Sequence, residues 1–321
     1  QRRYCSMRFS KSKKNIQWDK YMVYIIFVVV FVLFALILGN KGFLQPRNLV
    51  NILRQTAMIS VMAVAGVFVM AAGQIDLTVG SITAMTAMLV SLVLQKFNSI
   101  LLALVVGIGF GVVIGLINGL LVTKLKLPAF LATLGMMELV RGGAMWITDT
   151  AAVPIENKTF CNIFGIGEVA GIPVLVLWTI LFYIVGILIF NKGTFGRHIL
   201  ATGGNENSAV YSGINTKKVK IIAFTMSGAF AAFAGIMYAA RMQAGRYSYG
   251  DGDEMSVIAA VVLGGTAMSG GTGSVIGALF GSVLMGMMNN AVILANLSSA
   301  QQTMIKGGII ILAVALSNLS Q

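Results

Sequence analysis

Acidic side chains are rare in this chain, ten Asp and Glu in 321 residues, and so are histidine (one), cysteine (two) and proline (four). Each shortage removes a class of explanation. A single histidine, His198, leaves no His-based proton relay, and with no cluster of His, Cys and acids there is no metal centre to propose. Cys5 and Cys161 form no disulfide scaffold, because the topology below places them on opposite sides of a membrane. No P-loop of the form Gly-x4-Gly-Lys-Ser/Thr is present, and no nucleophile stands beside a base, so no catalytic residue is assigned. Charged residues are 10% of the chain, where a soluble domain carries roughly 25%.

What fills the chain instead is apolar: 57% hydrophobic residues, a mean hydropathy of +0.88 and 37 glycines. Glycine lets helix backbones approach in lipid, where burial of apolar surface gives no drive for association. A hydrocarbon core is crossed by roughly 20 apolar residues. The runs predict an all-α integral membrane protein with about ten spans, near 22–39, 50–72, 77–94, 100–123, 129–147, 173–190, 219–241, 255–269, 274–295 and 302–318. The eighth is short and ends in GGTAMSGGTG, which predicts a broken or re-entrant helix.

The net charge of +13 is explained by where the bases lie. Arg2, Arg3, Arg8, Lys11, Lys13, Lys14, Lys20, Lys124, Lys126, Lys192, Arg197, Lys217, Lys218 and Lys220 fall on the side of the termini. Lys41, Arg47, Lys96, Lys158, Arg241 and Arg246 fall on the other, fourteen against six. The excess marks the first side, with both termini, as cytoplasmic and makes nucleic acid an unneeded partner. The organisation expected is a basic cytoplasmic segment, 1–21, and one transmembrane domain, 22–321. The basic start and the run from Tyr21 to Leu38 imitate a signal peptide, but GNKGFLQP follows without a small-residue cleavage site, so the run reads as a retained first helix.

Three polar features stand out against this background. In AGQIDLTVGS, Asp76 sits between two spans, bracketed by Gly73 and Gly80. A carboxylate there is expected inside the bundle, either as the N-cap of helix 77–94 or as a group that meets solute or protons, with Thr78 beside it. In TLGMMELVRGG, Glu138 and Arg141 are spaced to pair on one helical face, or to form a polar wall with Thr133. Asn118 in GLING and Asn289 in GMMNN, with Ser60-Val61-x-Ala63 and Ser256-Val257-x-Ala259, hint at an internal duplication. Asp76, Thr78, Asn118, Thr133, Glu138, Arg141 and Asn289 are therefore the candidate pathway or gate residues. Gly273, Gly277 and Gly281 form overlapping GxxxG steps suited to helix packing. The loops 148–172 and 242–254 are the roomy non-cytoplasmic segments, and Asp251, Asp253 and Glu254 are the candidate contacts there for a soluble partner.

The segment 191–218 is the one long basic loop. Its Gly203, Gly204, Asn205, Glu206, Ala209, Ser212, Gly213 and Ile214 follow the pattern GGN-x-x-A-A-x-x-x-G-I, with Ser208 in place of one small residue. It resembles the coupling loop of the permease subunits of ribose-type bacterial ABC importers. GQIDLTVGS, Pro128 with Thr133-Leu134-Gly135 and Arg141-Gly142, and the stretch from Glu254 to Asn290 match that family's motifs in order. Ser256 replaces an acidic residue of the pattern, and Asn290 stands where Gly is frequent. The resemblance implies a short helix around Glu206–Ser212 that docks on an ATPase, supplied as two subunits or one tandem chain. It also implies ATP and Mg on that ATPase and none here, a second permease copy or paralogue, a soluble sugar-binding protein, and the bacterial inner membrane. A secondary transporter or channel acting alone, a structural membrane protein, and a permease for nucleosides or branched-chain amino acids are the alternatives.

Overall fold

A computed structural model describes residues 18–298, 300–305, 307–308 and 311. Of the expected segments, 1–17 and most of the final span 302–318, including Lys306, lie outside the described residues. The described residues are mostly helical: α1 (Trp18–Leu38), α2 (Pro46–Ala71), α3 (Val79–Phe97), α4 (Ile100–Thr123), α5 (Ala129–Trp146), α6 (Lys158–Cys161), α7 (Val174–Ile187), α8 (Thr194–Gly204), α9 (Glu206–Tyr211), α10 (Thr216–Met242), α11 (Asp253–Leu263) and α12 (Val275–Leu294). Two tiny antiparallel ladders tie loops together, β1 (Val153–Pro154) to β4 (Ala244–Gly245) and β2 (Glu168–Val169) to β3 (Ile172–Pro173).

Among the described residues, seven helical segments are long and apolar enough to cross a membrane: Val23–Lys41, Pro46–Ala71, Val79–Phe97, Ile100–Thr123, Val174–Lys192, Thr216–Met242 and Val275–Leu294. The expected count of about ten is thus met only in part. The fifth expected span is the 18-residue helix α5, diluted by Glu138 and Arg141, and it does not qualify. The eighth is α11, whose 11 residues reach roughly 16 Å against a hydrocarbon core of about 30 Å. It is a half-helix, as its glycine-rich end predicts.

The bundle is built around α2, α3 and α10, whose inner faces are small and tightly buried. Val61 to Ala65 on α2 and Ala231, Ala232, Ala234 on α10 have no accessible surface. Lipid-type exposure falls on α1 and α4, through Val28, Val29, Leu36, Leu101 and Val105. Between α4 and α10 the backbones touch. A Cβ on Gly111 would run into the Gly228 carbonyl, one on Gly228 would run into the Gly111 carbonyl, and Gly115 is blocked by Phe224 O. Dispersion at this separation replaces the hydrophobic drive that lipid does not provide. The second seam, α2 with α12, is polar at points: Ser60 and Ser282 hydroxyls share a 2.7 Å bond, and Asn48 and Asn290 exchange two amide bonds of 3.0 and 2.9 Å.

Two helices begin inside the bundle. The Thr83 hydroxyl, one turn into α3, lies 3.4 Å from Met62 Sδ in the interior of α2 and 3.0 Å from Ala231 O of α10. The segment 244–252 then runs down α3: Gly245 abuts Ala87 O and Ser91, and Gly250 abuts Gly80. The first turns of α3 and α11 therefore meet at Gly80, Gly250 and Glu254, and a Cβ on Gly80 would strike both Gly250 O and Glu254 Oε2.

Gly111→Leu and Gly228→Leu are expected to lose about 1–3 kcal/mol or more through overpacking of this seam. Gly135→Ala and Gly142→Ala on α5, where nothing lies within 4 Å of an added Cβ, should be tolerated. Thermal unfolding of the four detergent-purified variants checks this; losses on α5 equal to those on α4 and α10 would contradict the packing described.

Candidate functional site

The segment after α7 folds as two short helices. Asn205 is extended (φ −157°, ψ 104°) and separates α8 from α9, and its side-chain oxygen accepts from the Ser208 N–H at 2.9 Å, capping α9. The helix expected at Glu206–Ser212 is α9, Glu206–Tyr211. It ends where Gly213 takes a φ of +82° and the Ile214 N–H returns to Ala209 O at 3.0 Å. Ala209 packs inward, whereas Val210 and Tyr211 (91% exposed) point away. This apolar tip is a feature that motif reading passed over. Helix α8 was also hidden, because its buried face is only Gly196, Ile199 and Thr202 within a polar stretch.

Glu206 anchors α9 to the start of α10 through a 2.8 Å bond from Lys220 Nζ. Burial acts to raise the Glu206 carboxyl, but Lys220, Thr216 and Lys217 outweigh it and hold it below its usual range. This link is complete above the ordinary carboxylate range and is lost only as acid carries the pH down through the lowered value.

Behind α8 three loops meet backbone to backbone. The Gly271 N–H donates to Ala71 O at 3.0 Å. An added Cβ on Gly203 would collide with Ala71 O and Gly271 N, and one on Gly270 would stand 2.8 Å from Gly73 N and 2.9 Å from Gly203 Cα. Gly270 and Gly271 have φ of +86° and +80°. Gly204 is looser, its added Cβ lying 3.7 Å from Gly271 Cα. A cavity of about 400 Å³ opens beside this junction, lined in part by Gly73, Gln74, Asn205, Glu206, Lys220 and Ser269. The end of α2, the loop between α11 and α12, and the end of α8 therefore form one contact.

From that junction the chain rises into the bundle through Asp76. The carboxylate is buried, and its Oδ1 accepts from the Thr78 N–H (2.9 Å) and the Thr78 hydroxyl (2.5 Å). Asn118 Nδ2 on α4 donates to the Thr78 hydroxyl at 2.9 Å. Thr133 on α5 donates to Ala129 O at 2.8 Å and reaches Ile75 O at 3.3 Å. Asp76, Thr78, Asn118 and Thr133 are thus brought together. Asp76 is not the N-cap residue: Thr78 is, and Asp76 closes a turn two residues earlier by accepting from Thr78. Asp76 Oδ2, Asn118 Oδ1 and the Ser227 hydroxyl of α10 are all buried and form no hydrogen bond among the described residues.

The other expected residues go elsewhere. Glu138 and Arg141 do not pair: Glu138 is exposed, whereas Arg141 Nη1 turns inward to the carbonyls of Tyr247 (2.6 Å) and Tyr249 (2.9 Å). Irregular backbone needs donors at this position, and the guanidinium supplies them. Asn289 is half-buried beside Asn290, which makes the bond across to α2. Asp253 and Glu254, expected as contacts for a soluble partner, are buried at 9% and 8% exposure, with Asp253 accepting from Tyr238 at 2.7 Å. They belong to the re-entrant turn, and only Asp251 is exposed.

This architecture, a multi-pass bundle with interrupted helices that meet a water-facing helical loop, is that of a membrane transport component. Residues 48–314 match the family described as branched-chain amino acid transport system / permease component. The chain is 37% identical to the ribose import permease protein RbsC of Escherichia coli (strain K12) over 285 residues, 88% of this chain and 89% of the relative. It is 36% identical to RbsC of Bacillus subtilis (strain 168) over 292 residues (91% and 90%), and 36% identical to the L-arabinose ABC transporter permease protein AraH of Azospirillum brasilense over 290 (90% and 85%). No solved structure matches the chain. The chain belongs to this family of importer permeases, and it is a transport component rather than an enzyme.

Asp76→Asn keeps an oxygen acceptor for both Thr78 donors, whereas Asp76→Leu removes it and leaves them unpaired in the bundle. The Asn variant should reach the membrane in normal amount and transport within about threefold of the parent, and the Leu variant should lose most folded protein. Normal assembly of Asp76→Asn with loss of transport would assign the charge itself to the mechanism.

Proposed function

We propose that this chain is the membrane-spanning subunit through which an ATP-driven importer carries a monosaccharide across the bacterial cytoplasmic membrane. The ribose and arabinose relatives support the sugar, over a family description that names branched-chain amino acids. In this reading, the side carrying α8 and α9 is cytoplasmic and the side carrying 39–45 and 147–173 faces the sugar-binding protein. A second permease, identical or paralogous, completes the pathway. ATP and Mg are held by the separate ATPase.

The observation that carries the mechanism is the glycine junction. The exposed tip of α9, Val210 and Tyr211, is the part an ATPase grips. Movement of α8–α9 then has no compliant side chain to absorb it, because Gly203 bears directly on the backbone of Ala71 and Gly271. It passes to the segment ending at Asp76 and Thr78, and to the loop that closes α11. Both half-helices shift against one another where Gly80 meets Gly250 and Glu254, and the bundle tips between two states. The chain's own residues transmit force and line the path; bond chemistry stays with the ATPase.

Reconstitution with its ATPase and binding protein in liposomes is expected to give ATP-dependent uptake of ribose or arabinose. Uptake of leucine alone, or uptake without ATP, would overturn the reading. Gly203→Val should insert normally and bind the ATPase, yet lower binding-protein-stimulated hydrolysis at least tenfold. Gly204→Ala, with room at that site, should lose less than threefold.

A further inference from the structure

On the side opposite α8 and α9, a cavity of about 800 Å³ lies between the first turns of α2, the end of α12 and the β2–β3 hairpin. Its polar lining is basic: Lys41, Arg47 and Arg54, with Arg241 behind them donating to Arg54 O at 3.3 Å. Cations are sparse at this end of the chain's helices, namely Lys41, Arg47, Lys96, Lys158, Arg241 and Arg246, and three of those six gather here, joined by Arg54 from α2. The lone acid, Glu168, is consumed by its ion pair with Arg54. Lys41 and Arg47 are exposed and form no ion pair among the described residues, and Arg54 Nε is shielded from solvent without a partner. The positive end of the 26-residue α2 adds to the same field, with Pro46 at its first turn. Such a concentration of uncompensated positive charge in a cavity calls for an anion.

The surroundings decide which kind. The cavity lies where two helices of membrane-spanning length meet, at the end of α1 and the start of α2, and Val50 and Leu294 supply its apolar lining. Leu36 (80% exposed), Ile37, Leu53 and Ile293 face outward from α1, α2 and α12. A water-soluble acidic protein could meet the cations but not this flank. A phospholipid meets both, with its phosphate among the bases and its acyl chains along the apolar face. We propose that this cavity is a binding site for the headgroup of an anionic membrane phospholipid, held by Lys41, Arg47 and Arg54. The cavity uses none of the residues of the glycine junction, but it opens on the side assigned above to the sugar-binding protein, so the test below separates the two occupants.

The test is lipid retention by the purified full chain, measured by native mass spectrometry with added phosphatidylglycerol, phosphatidylcholine or glycerol phosphate. Phosphatidylglycerol should be retained at least tenfold more strongly than phosphatidylcholine or glycerol phosphate. The exposed double variant Lys41→Gln/Arg47→Gln should lose about tenfold in retention with an unchanged melting temperature in lipid-free detergent. Lys41→Arg/Arg47→Lys should keep it, and so should Lys124→Gln/Lys126→Gln on the opposite side. Equal retention by the Gln variant, or equal retention of phosphatidylcholine, would overturn the site. Glycerol phosphate bound as tightly as the lipid would make it a soluble-anion site. If the Gln variant retained phosphatidylglycerol but lost binding of the soluble binding protein, the basic cavity would belong to that protein instead.

Discussion

Backbone in hydrocarbon must find all its hydrogen bonds within the protein, and every interruption of a helix in this bundle is arranged around that requirement. The interruptions are gathered at two places. One is the contact of Ala71, Gly73, Gly203, Gly270 and Gly271, where a bond from the Gly271 N–H to Ala71 O closes three loop ends on each other. The other is the meeting of the first turns of α3 and α11, where Arg141 satisfies two carbonyls of the incoming chain. Between them stand only the segment 74–78 on one path and the half-helix α11 on the other.

That spacing gives the structure its mechanical character. A side chain at a contact can change rotamer and absorb displacement, but a glycine backbone pressed on another backbone cannot. The α4–α10 seam is built in the same way, through Gly111 and Gly228, and α3 packs against both helices. Helices α8 and α9 thus join the bundle at one of the two places where its helices are interrupted. The Asp76–Thr78–Asn118 network lies at the end of that path, and its unpaired oxygens mark it as a place where polar groups stay available inside the bundle.

Much of this was legible in the sequence. The long spans α2, α4, α10 and α12 follow from apolar run length, α9 from its flanking glycines, and the half-helix α11 from GGTAMSGGTG. The convergence of Asp76 with Thr78, Asn118 and Thr133 was only half legible: each residue stood out, but nothing in the chain says that α4 and α5 bring them to one turn. Several readings were corrected for physical reasons, among them the capping of α3, which falls to Thr78 rather than Asp76. Glu138 and Arg141 have the spacing of a pair, yet one faces outward and the other finds carbonyls that only the folded re-entrant loop presents. Asp253 and Glu254 look like surface acids because the descent of 244–252 along α3 is a tertiary event. Helix α8 was missed although Gly196, Ile199 and Thr202 recur at helical spacing, because glycine and threonine do not stand out as an apolar face.

The most direct test of the account is the motion of the junction in the assembled complex. Spin labels at Tyr211 and Gln74 report whether α9 and the end of α2 travel together, and labels at Tyr211 and Lys126 report movement relative to the α4–α5 loop. On adding a non-hydrolysable ATP analogue, the Tyr211–Gln74 distance should hold while the Tyr211–Lys126 distance changes by several ångströms. A Tyr211–Gln74 distance that changes as much as the other would show that α9 moves independently of the broken helices, and would contradict force transmission through Gly203.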